Sequence, residues 1–73
     1  MRVFGFLQDL IAKENPLAVD HDMQIIDQAR SLCWDEDGWD ELQGKCMTDA
    51  ARGEIHTIEM RKYHRAEYAC GML

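Results

Sequence analysis

The stretch CWDEDGWDE, residues 33–41, decides how this chain is read. It packs five carboxylates, Asp35, Glu36, Asp37, Asp40 and Glu41, into nine residues, with Trp34 and Trp39 flanking the Asp-Glu-Asp-Gly run. Three readings compete: a calcium loop, a capped turn between two helices, and a recognition surface. An EF-hand loop needs oxygen ligands at positions 1, 3 and 5, glycine at 6 and a bidentate glutamate at 12. With Gly38 at position 6, Asp35 and Asp37 fall at 3 and 5, but Cys33 stands at 1 and Gly44 at 12. The first ligand and the glutamate are both missing, so the calcium reading is discarded.

The capped turn fits better. Asp37 is placed to cap a helix starting near Gly38, with Asp40 close to a capping-box position. Negative charge in that first turn meets the positive end of the helix dipole. Trp34 then ends one apolar stripe and Trp39 begins the next.

Working outward, the preceding segment, residues 22–34, is predicted to be a helix. Met23, Ile25, Ile26, Ala29, Leu32, Cys33 and Trp34 spread over a wide arc, which suits a central helix touched from more than one side. Asp20 and Asp22 are its candidate N-caps. The following segment, 39–52, carries a narrower stripe of Trp39, Leu42, Cys46, Met47 and Ala50. Gly53 sits where a left-handed C-cap would end it, and Arg52 suits its negative end. Residues 2–14 place Val3, Phe6, Leu7, Leu10 and Ile11 at helical spacing, and Asn15-Pro16 stops them. A strand at 2–6 is the fallback. Residues 54–69 read as a fourth helix through Ile55, Ile58, Tyr63, Ala66, Ala69 and Cys70, ended by Gly71, although GEIHTIEM also suits a short strand. The sum is a single all-α domain over residues 1–73, a compact three- or four-helix arrangement, with α+β as the fallback.

Seventy-three residues leave little core volume to spare for a pocket. No nucleophile elbow, phosphate loop or catalytic pair of carboxylates is present, so an enzyme is not expected. Three cysteines, an odd number, argue against a disulfide framework and for a reducing cytoplasm. No signal peptide or apolar run of membrane-spanning length is visible. Cys33, Cys46, His56, His64 and Cys70, with His21 spare, offer zinc ligands, but no C-x-x-C knuckle organises them. A structural zinc domain is therefore a minor alternative, and no cofactor is expected.

The net charge is −6 and unevenly spread. Residues 9–49 hold eleven acids against Lys13, Arg30 and Lys45, whereas 52–67 hold four bases, three acids and two histidines. The leading expectation is a small acidic interaction module that inhibits, adapts or regulates a larger protein. Trp39, Asp35, Glu36, Asp37, Asp40 and Glu41 would carry its interface, an aromatic anchor with an acidic rim. With Asp20, Asp22, Asp27 and Asp49, these carboxylates could imitate a phosphate path and occupy a basic channel on a nucleic-acid-handling protein. Inhibitors of host nucleic-acid machinery from phages and mobile elements, anti-CRISPR inhibitors included, form the class-level analogy. The alternative is a helical DNA- or RNA-binding regulator using Arg52, Arg61, Lys62, Arg65 and Tyr68. A polarised surface also allows self-association, so a homodimer is a further expectation. Met60, off its helix's stripe, and His56 mark a second surface should both tryptophans be enclosed.

Overall fold

A computed structural model describes residues 3–31 and 34–64, with the side chains of Val3, Phe4 and His64 left aside. Four α-helices form among these residues: α1 (Val3–Glu14), α2 (Val19–Ser31), α3 (Glu36–Lys45) and α4 (Asp49–His64). A 3-10 turn, Pro16–Ala18, joins α1 to α2. The all-α expectation holds. Both segments held open as strands, 2–6 and 54–60, are helical wherever they are described.

α1 ends where the proline requires it. Asn15 is extended, with φ −159° and ψ 101°, as a residue before proline prefers. Its side chain accepts from the Leu17 amide at 3.0 Å. Pro16 opens the 3-10 turn, where its missing N–H costs nothing. α2 consequently starts at Val19, not at Asp22. The two candidate caps, Asp20 and Asp22, lie inside the helix, and Trp34 lies beyond its end.

The predicted helix over 39–52 is in fact two. α3 stops at Lys45, and Cys46 turns extended at φ −71° and ψ 144°. Thr48 caps α4, its Oγ1 accepting from the Ala51 amide at 3.2 Å. Gly53 is therefore not a C-cap but an interior residue of α4, and Arg52 lies in that helix's first turn. The predicted ends of the last helix, Ala69 and Gly71, fall outside the described residues.

α2 and α4 form the central pair. α1 and α3 each pack on both members of that pair and do not meet one another. The core between them comprises Leu7 and Ile11 of α1, Ala18, Ile25, Ile26 and Ala29 around α2, Trp39, Leu42 and Cys46 around α3, and Ala51, Ile55 and Ile58 of α4. The apolar arc of α1 is wider than this core needs. Leu7 and Ile11 are enclosed, while Phe6 remains 67% exposed.

Two glycines contribute nothing to the packing. Gly44 and Gly53 are exposed helix residues, and an added Cβ would meet nothing within 4 Å at either. Alanine removes backbone entropy from the unfolded chain at no steric cost. Gly44→Ala and Gly53→Ala are each expected to raise stability by about 0.5–1 kcal/mol. Thermal melts of the two variants check this, and a lowered midpoint would contradict it.

Candidate functional site: an acidic face on α3

The stretch 33–41 folds as a capped helix start, shifted by two residues from expectation. Asp35, not Asp37, is the N-cap: it is extended, at φ −83° and ψ −179°, and its Oδ1 accepts from the Gly38 amide at 2.7 Å. Glu36 and Asp37 occupy the first turn beside the positive end of the dipole. The glycine keeps that turn uncrowded. A Cβ at position 38 would stand 3.1 Å from both Asp35 Oδ1 and the Trp34 ring. That half-buried ring also donates from Nε1 to the Gln28 carbonyl at 3.2 Å, satisfying an acceptor near the end of α2.

Trp39 is not the exposed anchor that the sequence suggests. It is 1% exposed, at the centre of the core. The reason is helical phase: Trp39, Leu42 and Cys46 all turn inward, carrying the tryptophan with them. Lys62 closes over it, with Nζ 5.6 Å from the ring centroid. The same ammonium donates to the Ala29 and Arg30 carbonyls at 3.2 and 3.5 Å, cations being favoured at a helix C-terminus. Lys62 is thus committed to the fold.

The five carboxylates stay outside. Asp35, Glu36, Asp37, Asp40 and Glu41 are all exposed, and none of them forms an ion pair with a described base. On α3 the four helical acids fall within an arc of about 140°, opposite the buried side. The wider acidic set divides. Asp20 and Asp27 are exposed, Asp27 with Arg30 at 4.0 Å. Asp49 is paired to Arg52. Asp22 is wholly buried and is no part of any surface.

Asp22 does something the sequence reading missed. Its carboxylate accepts from the Met47 amide at 3.0 and 3.1 Å, the Thr48 amide at 3.0 Å and the Thr48 hydroxyl at 2.8 Å. His21 Nδ1 lies 2.7 Å from its other oxygen. From α1, Glu14 accepts from the Asp49 and Ala50 amides at 2.7 and 2.8 Å. With Thr48 Oγ1 serving Ala51, the amides that a helix start leaves unpaired are all satisfied. Burial pushes the Asp22 carboxyl up, but the hydrogen bonds from Met47, His21 and Thr48 outweigh it and hold it below its ordinary value. The one trace in the sequence is spacing: Asp22 shares the face of Ile25, Ile26 and Ala29.

Of the basic residues of the nucleic-acid alternative, the three described ones, Arg52, Arg61 and Lys62, do not share one face. Arg52 donates to the Cys46 carbonyl at 2.9 Å and pairs with Asp49. Arg61 is exposed, but nine residues along a helix place it roughly 180° from Arg52. Lys62 points inward, and Arg65 and Tyr68 lie outside the described residues. For zinc, Cys46 is buried with its Sγ 3.5 Å from the Leu42 carbonyl. Burial, then the nearby Asp22 charge, push its thiol up to about 11. His56 is exposed beside Glu59, at 3.7 Å. Cys33 and Cys70 lie outside the described residues. Among the described residues no three potential ligands converge.

No family model, curated protein or solved structure matches this chain. The class defined by the fold is a small all-α domain with one acidic helix face. Among the described residues no helix is long and apolar enough to cross a membrane.

Proposed function

We propose that this chain is an acidic protein-protein interaction module, acting in the cytoplasm on a larger protein with a basic surface. α3 is its contact element, and Asp35, Glu36, Asp37, Asp40 and Glu41 are the contact residues. Trp39 has a supporting part: it fixes the helix from beneath. The observation carrying this reading is that five exposed carboxylates, four of them on one side of α3, have no described base to neutralise them. Charges meant only to solvate a helix are ordinarily interleaved with bases. Here Lys45 is the one base of α3.

The density of charge favours one kind of partner. Residues 35–41 cover about 9 Å of helix axis, roughly one charge per 2 Å. Duplex DNA carries one per ~1.7 Å. A channel lined with arginine and lysine to hold nucleic acid would accept such a face, and its occupation would inhibit the partner. Inhibitors of host nucleic-acid machinery carried by phages or mobile elements work on this logic, and the proposal in its narrowest form places the chain among them.

The test uses isosteric amides: Asp35→Asn, Glu36→Gln, Asp37→Asn, Asp40→Asn and Glu41→Gln together. Asparagine caps helices as well as aspartate does, so the fold survives. Wild type is expected to capture a stoichiometric partner from nuclease-treated lysate. The amide variant should lose it, and added nucleic acid should compete it away. Equal capture by the amide variant, or none by wild type, would refute the proposal.

A further inference from the structure

A second surface lies on α1, which makes no contact with α3. Phe6, Asp9, Leu10, Ala12 and Lys13 share the outer face of α1, turned away from the buried Leu7 and Ile11. Phe6 is 67% exposed there, a large aromatic that the core leaves unused. Asp9 and Lys13, one turn apart on this same face, are exposed and opposite in charge. Among the described residues neither has an ion-pair partner, and they do not bridge each other.

We propose that this face of α1 is a two-fold interface with a second copy of the chain. The occupant follows from charge order. Two α1 helices laid antiparallel, with the axis passing beside residue 11, bring Asp9 opposite the partner's Lys13. Lys13 then meets the partner's Asp9, and Leu10 meets the partner's Ala12. Such an interface is self-complementary, as a two-fold one must be. Phe6 of each copy covers the partner's α1 near its end. A parallel arrangement would set like charges against each other, at a cost. The dimer stands independently of the reading of α3. If that reading is also right, the dimer gains a property. α1 and α3 do not touch, so pairing through α1 need not cover α3, and two acidic faces could engage two basic sites at once.

Sedimentation equilibrium of the full chain, over micromolar to millimolar concentration, tests this. The mass is expected to rise from 8.5 kDa towards twice that value. Asp9→Lys alone and Lys13→Asp alone should each weaken association by about tenfold or more, since each sets like charges face to face twice. The combined swap rebuilds both pairs in reverse and should restore association. Phe6→Glu should abolish it while leaving the helical circular dichroism unchanged. A monomer at every concentration would overturn the proposal. So would a dimer indifferent to Phe6→Glu, or a combined swap no better than the single ones.

Discussion

Asp22→Ala is expected to cost about 3–5 kcal/mol, because it strands several hydrogen-bond donors at once. The substitution leaves the Met47 amide, the Thr48 amide and the Thr48 hydroxyl without their acceptor. Each buried orphan costs about 1–3 kcal/mol. A domain of this size has roughly 4–11 kcal/mol in total, so the variant should be largely unfolded at moderate temperature. Asp22→Asn keeps one acceptor oxygen and is expected to lose less. The pH dependence has a definite sign. The folded carboxyl titrates below its ordinary 3.8, so its contribution is complete well above that value and fades as pH falls through the folded pKa. Urea titrations at pH 7 and pH 3 measure this. Wild type should lose more stability between the two than Asp22→Asn does. An equal loss in both would show that Asp22 does not drive the acid sensitivity. His21 beside it, Glu14, Asp49 and Arg52 around the start of α4, and Cys46 are the other titratable groups in that neighbourhood.

Trp39→Ala is the second large effect, at about 3–5 kcal/mol, from lost burial and the cavity left behind. It also removes the surface over which the Lys62 ammonium sits. α3 depends on Trp39 and Leu42 for its grip on α2 and α4, so α3 and its acidic face should loosen first. Hydrogen exchange resolves this: the α3 amides should lose protection before those of α2 and α4. Trp39→Phe, which keeps most of the volume, is expected to retain the fold. Simultaneous loss of protection in all helices would mean that α3 has no separate stability.

Much of the fold was legible because its signals are local. The spacing of Leu7 and Ile11, the Asn15-Pro16 stop, and the alternation of Ile25, Ile26 and Ala29 each act within a few residues. The acidic cluster was legible as composition, but its helix face depends on α3 starting at Glu36 rather than near Gly38, which puts 36, 37, 40 and 41 on one side. The errors have one physical source. A helix stripe shows which residues turn inward but not which neighbour they meet. Trp39 looked like a surface anchor because charges surround it in sequence, yet charge and ring point to opposite sides of one helix. Lys62 read as part of a basic strip, although Trp39 and the end of α2 claim it from 23 positions away and more.

By itself the sequence determined an all-α domain of three or four helices and a cluster of acids in its middle, because side-chain period and turn chemistry are properties of neighbouring residues. The tertiary structure alone decided that the predicted third helix breaks at Cys46–Thr48. Its amides there are held by carboxylates from Asp22 and Glu14, distant in the chain. Buried amides must find acceptors somewhere, and only the packed arrangement of α1 and α2 against α4 shows where they are.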